Sequence, residues 1–122
     1  METLKEPVAA ETSLSLADGE KLLAFYETML AAARGEDWDM LAEVERQAAA
    51  VRDAALARPA VETATDDAAA LTDLLTRVQA LDRDIRDIVE PAREEARQQL
   101  AAEVKGRAVR AAYGPGGGGA GS

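Results

Sequence analysis

The chain has 122 residues and is 48% hydrophobic, yet 28 of its residues are alanine, and Phe25, Tyr26, Trp38 and Tyr113 are its only aromatics. So few large apolar side chains suit one domain of close-packed helices and argue against an enzyme with a deep pocket. A formal charge of −9 with no Cys and no His excludes disulfides, thiol or imidazole catalysis and Cys/His zinc sites, and would repel a nucleic-acid backbone.

Residues 1–14 mix charge, Pro7 and small side chains without a period and are expected to be flexible. Ser13 or Ser15 is placed to cap a first helix, with Asp18 and Glu20 near its positive end. Its seam is Leu16, Leu23 and Leu30 at seven-residue steps, with Tyr26 and Ala33 between and Leu22 and Met29 widening the stripe. Gly19 weakens the first turns and could move the start towards Glu20. Gly35 is the expected left-handed stop and Asp37 the cap of a second helix. So short a link returns that helix antiparallel to the first. The second helix carries Trp38, Leu41, Val44, Ala48, Val51 and Ala55 and ends at Arg58-Pro59.

After a loop from Pro59, with Thr63 or Thr65 as cap, comes the longest element. Leu71, Leu74, Val78, Leu81, Ile85, Ile88 and Ala92 alternate in steps of three and four, a coiled-coil-like seam over one long helix. Asp73 and Arg77, and Asp82 and Arg86, are spaced for ion pairs on its solvated face. Pro91 falls inside the pattern and either ends the helix near Val89 or kinks it. The apolar positions cross Pro91 without a gap and no turn residues flank it, which favours the kink. Gly106 breaks the pattern and would hinge a short fourth helix carrying Val109, Ala112 and Tyr113. That end is basic, with Lys105, Arg107 and Arg110. Residues 114–122 are Gly-rich and expected to be flexible. The expected fold is all-α: an antiparallel three-helix bundle over residues 15–113, a hairpin plus a long third helix, with a short C-terminal fourth helix.

No apolar run approaches about 18 residues and no cationic-apolar leader opens the chain, so a cytoplasmic protein without a membrane span is expected. Paired acids such as Glu94 and Glu95 lie in no pocket-forming context, and the C-terminal glycines follow no strand, so neither a metal, a cofactor nor a phosphate site is expected. What remains is an interaction module. The long helix outruns the hairpin, leaving an apolar strip over about Ile88 to Val104 for a partner or for a folded-back basic end. Self-association of the strip, as a weak homodimer in a structural or regulatory bundle, is the alternative.

Asp37-Trp38-Asp39-Met40-Leu41 opening the second helix, then Leu41, Glu45, Ala48 and Val51, the long third helix with its mixed-charge face, and Ala112-Tyr113-Gly114 near the end together resemble the FliT family of flagellar type III export chaperones. The resemblance implies a small cytoplasmic helical bundle serving flagellum biogenesis and motility. It would bind the filament-cap protein, keep it unassembled and hand it to the export ATPase complex, and in some bacteria would also restrain a flagellar transcription regulator. It further implies a client groove among Leu75, Val78, Leu81, Ile85, Ile88, Val89 and Leu100, of which Leu75 and Val89 lie off the strict seam. Val109 and Tyr113 would belong to a gating segment, and Trp38 would lock the turn between helices one and two from the core.

Overall fold

A computed structural model describes residues 11–113; the expected flexible tail from residue 114 and the first ten residues lie outside that range. Three helices, α1 (Leu16–Arg34), α2 (Trp38–Leu56) and α3 (Thr65–Tyr113), account for most of it. Two-residue strands β1 (Glu11–Thr12) and β2 (Val61–Glu62) pair antiparallel, Glu11 opposite Glu62 and Thr12 opposite Val61. That pairing places order in two stretches expected to be irregular. The chain divides into two compact units, one reaching Asp87 and the other starting at Ile88.

In the first unit, α1 is started by a capping box. The Ser15 hydroxyl accepts the Asp18 N–H and the Asp18 carboxylate accepts the Ser15 N–H, each at 3.0 Å. This fixes the start at Leu16, and Gly19 lies buried inside the helix rather than before it. Arg58, just past α2, donates to the Asp18 carboxylate and to the Ser13 carbonyl at 3.0 Å, tying the open end of the hairpin together. The Ser15 N–H holds the Asp18 carboxyl below the usual carboxylate range; burial pushes it up, and Arg58 and the Ser15 hydroxyl draw it down again. A carboxyl with a lower pKa folded than unfolded stabilises the fold above its unfolded value, about pH 4, and loses that contribution as pH falls through the folded value. Asp18→Ala is therefore expected to cost about 1–2 kcal/mol at neutral pH. Urea titrations at successively lower pH should show variant and parent converging; a gap that stays constant into the acid range would contradict this account of Asp18.

The turn between α1 and α2 is a Schellman closure: Asp37 N–H bonds to the Ala32 carbonyl (2.8 Å) and Glu36 N–H to the Ala33 carbonyl (3.1 Å). The left-handed residue is Glu36, at φ 57, and not Gly35, which sits at φ −89. Asp37 also caps α2, its carboxylate accepting the Met40 N–H at 3.1 Å. Three residues thus end one helix and begin the next, which forces the antiparallel return.

The packed face of α1 is Leu22, Tyr26, Met29, Leu30 and Ala33, while Leu16 and Leu23 are only half-buried. The seam therefore centres on Leu22 and Met29, one position from the expected Leu16, Leu23 and Leu30. On α2 the buried residues are Leu41, Val44, Ala48 and Ala55. Ala33, Ala48 and Ala55 have no accessible surface, so the hairpin closes on methyl groups and its backbones approach closely. Tyr26 accepts a hydrogen bond from Arg52 at 2.8 Å, and the Arg52 guanidinium stands 6.0 Å from its ring centre. Trp38 does not lock the turn from the core: at the first position of α2 it is 40% exposed.

The third layer of this unit is the first part of α3, which opens at Thr65 after Ala64, whose carbonyl accepts the Ala68 N–H at 2.8 Å. Leu71, Val78 and Ile85 are buried at seven-residue steps, with Leu74, Leu75 and Leu81 half-buried beside them. A Cβ on Gly19 would lie 2.7 Å from Leu71 Cδ1 and 3.3 Å from Leu74 Cδ1. The glycine that looked like a weakness in α1 is where Leu71 and Leu74 of α3 pack against its backbone. On the exposed face Arg86 pairs with Asp82 at 3.0 Å, while Asp73 and Arg77 make no ion pair among the described residues.

Residues 88–113 of the second unit are helical throughout. There is no separate fourth helix, the helix runs through Gly106 without a break, and the unbroken assignment from Thr65 to Tyr113 does not support the kink expected at Pro91. Pro91 forfeits one hydrogen bond, to the Asp87 carbonyl, but helix on both sides is long enough to hold the backbone through one missing bond. At Gly106, which is half-buried, the loss relative to alanine is only about 1 kcal/mol, too little to end a helix flanked by Ala101, Ala102, Ala108, Ala111 and Ala112.

Candidate protein-interaction surface

The expected groove residues divide between the two units. In the first, Val78 and Ile85 are buried in the seam and Leu75 is half-buried. In the second, Val89 is buried although it lies off the strict seam, Ile88 and Ala92 are half-buried, and every residue from Arg93 to Lys105 is exposed. Leu100 is 57% and Val104 51% exposed, and further along Val109 is 48% and Tyr113 74% exposed. Large apolar side chains that open to water are otherwise few in the described residues: Trp38, Met40, Leu56 and Val61.

Helical geometry sorts the exposed residues of the second unit onto two faces. Ala96, Leu100 and Val104 are four apart and share one face. Nine residues at about 100° each carry Val109 to the opposite side from Leu100, and Tyr113 lies one turn beyond Val109 on that far side. The expected gating residues therefore do not cover Leu100 and Val104 in this conformation. Around Leu100, Arg93 and Arg107 stand seven residues before and after, and Arg97 three before, all within about 60° of it. Val104 closes the expected apolar strip, but these arginines were not among the expected groove residues. The seven-residue spacing of Arg93, Leu100 and Arg107 was available as a signal once the helix was read through Gly106.

The charges separate as well. Residues 1–87 hold nineteen acids and nine bases, whereas residues 88–122 hold four acids and five bases. Within the second unit Arg97 donates to Glu94 at 2.6 Å and Gln98 donates to the same carboxylate at 3.1 Å. The Arg97 hydrogen bond, then the Gln98 one, hold the Glu94 carboxyl below its ordinary range. Arg93 and Arg107 make no ion pair among the described residues.

An open cleft of about 530 Å³ lies in the first unit, lined by Ser13, Leu16, Arg58, Pro59, Thr63 and Asp67 among others, but its one cation, Arg58, is held by Asp18 and Ser13. Among the described residues no three acids are grouped to hold a metal, and no helix is long and apolar enough to cross a membrane.

No curated protein and no solved structure gives a match. The family model described as flagellar protein FliT matches residues 16–115, which takes in α1, α2 and α3 in full. The chain belongs to the FliT family of flagellar proteins.

Proposed function

We infer that this chain is a cytoplasmic export chaperone that binds a flagellar client, the filament-cap protein, keeps it unassembled and delivers it to the export ATPase complex. The observation that carries the reading is the exposed apolar face of the second unit, where Leu100 and Val104 keep half or more of their surface in water on a well-formed helix. A bare apolar helix face is what an amphipathic client segment covers. The acidic first unit keeps such a complex soluble. Co-expression with a filament-cap protein should yield a stoichiometric complex, whereas self-association through the same face would instead give a dimer by light scattering and no cap protein bound.

Gating by the basic end is part of this reading and takes a specific form. Val109 and Tyr113 reach the Leu100 face only if the helix opens at Gly106. A Cβ on Gly106 meets only the end of the Arg110 side chain, at 3.4 Å, so alanine fits there. Gly106→Ala favours the unbroken helix by about 0.8–1 kcal/mol, and is expected to raise client affinity up to about fivefold by disfavouring the closed form. Titration of the cap protein against both chains checks this; higher helix content with unchanged affinity would remove the gate from the reading.

A further inference from the structure

We propose that the face of α3 centred on Leu100 and Val104 is built for an acidic amphipathic helix, with Arg93, Arg97 and Arg107 reading its carboxylates. The proposal rests on the chaperone reading and deepens it by naming the chemistry of the bound segment.

The argument is one of charge against geometry. The whole chain carries −9, which by itself points to a basic partner. But exposed charges are screened beyond about 8 Å at physiological salt, so a docked helix responds to the charges beside it and not to the total. Beside Leu100 and Val104 those charges are Arg93, Arg97 and Arg107 against one acid, Glu103, which flanks Leu100 at about 60° on the side opposite Arg97, with Glu90 farther round. Helical positions at i−7, i−3 and i+7 from Leu100 put the three guanidinium groups along about 20 Å of helix by the 1.5 Å rise, flanking the apolar row at each end and along one side. A partner helix lying on Ala96, Leu100 and Val104 brings its own flanking positions to these arginines. Glu or Asp there would accept paired N–H donors from the guanidinium forks, and Lys or Arg there would meet like charge.

The same pattern supplies register. The first unit has nineteen acids to nine bases and discourages an acidic helix from settling on its apolar positions. The basic face in the second unit is then where such a helix finds both apolar contact and opposite charge. Arg97 arrives already held by Glu94, 2.6 Å away, so its exchange to a client carboxylate gains less than that of Arg93 or Arg107. The stronger contributions are assigned to Arg93 and Arg107.

Two labelled synthetic peptides test this on the full chain: an 18-residue amphipathic helix with Leu along one stripe and Glu on its flanks, and the same peptide with Lys in place of Glu. Fluorescence anisotropy should show saturable binding of the Glu peptide and weaker binding of the Lys peptide. Arg93→Glu with Arg107→Glu should weaken the Glu peptide by about tenfold and strengthen the Lys peptide. Leu100→Ser with Val104→Ser should remove both. Equal or tighter binding of the Lys peptide by the parent chain, or indifference to the double reversal, would overturn the proposal. All four positions are exposed, so circular dichroism should show the helix intact in every variant. Capture of the filament-cap protein by the same variants separates the two claims. If the serine variant loses the cap protein and the glutamate variant keeps it, the chaperone reading stands and the acidic client falls. If neither variant affects capture, this face is not the client surface.

Discussion

Leu22→Ala is expected to lower the unfolding free energy by about 2–4 kcal/mol, which for a helical unit of this size is a fall in Tm of roughly 10–25 °C. Leu22 keeps only 2% of its surface in the first unit, on the face of α1 that also holds Tyr26, Met29 and Ala33. Truncating a side chain this buried leaves a cavity, and the alanine methyl groups on which the hairpin closes have no length with which to fill it. The matching truncation in the second unit, Leu100→Ala, removes a side chain already 57% exposed and should change stability by less than about 0.5 kcal/mol. Thermal denaturation followed by circular dichroism measures both. Similar losses for the two variants would mean that Leu100 is packed in solution and would undo the assignment of stability to residues 16–87 and of binding to residues 88–113.

The second large effect is on binding. Leu100→Asp with Val104→Asp is expected to reduce affinity for the filament-cap protein by more than about 100-fold while leaving the helix folded. Fully burying a Leu or Val side chain is worth about 1.5–3 kcal/mol, and a carboxylate in its place adds the cost of stranding a charge at the dry centre of the contact. Isothermal titration with the purified cap protein gives the affinities. A loss of less than about fivefold would place the client elsewhere, with Trp38 and Met40 at the hairpin turn the next exposed apolar residues to examine.

The legible parts of this fold were those that local chemistry decides. Ser13 or Ser15 before the first apolar row, Asp37 before Trp38, and Arg58 before Pro59 marked helix ends; the structure takes Ser15, boxed with Asp18, and Asp37 as caps, and ends α2 at Leu56, two residues before Arg58. The seven-step row of Leu71, Val78 and Ile85 was legible because its period is independent of what covers it. The failures share one cause: a residue's local preference was set against a neighbourhood only tertiary structure supplies. Gly19 reads as a helix breaker until α3 is seen to come within 2.7 Å of where its Cβ would be. Gly35 reads as the left-handed stop, but the closure places Glu36 there, because the hydrogen bonds to Ala32 and Ala33 set the position one residue later. Pro91 and Gly106 read as a kink and a hinge because each costs free energy alone; the alanine-rich helix around them absorbs both.

The surface was harder to read than the fold. Leu75 and Val89 were set apart from the seam by spacing, yet Val89 is buried and Leu75 half-buried, because the buried stripe on α3 is wider than one row. The family resemblance implied that Trp38 locks the hairpin turn from the core. Here the Schellman closure turns Leu41 inward and leaves Trp38 at the rim. Arg93 and Arg97 could be placed on the Leu100 face from spacing alone, but Arg107 joined them only once the helix was known to pass Gly106 without a break.

Hydrogen–deuterium exchange of the full chain, with and without bound filament-cap protein, tests the central claim most directly. The account predicts that α1, α2 and residues 65–87 are the slower-exchanging part in the free chain, and that protection gained on binding concentrates between Arg93 and Arg107. Protection gained chiefly on α1 or α2, with residues 93–107 unchanged, would contradict it.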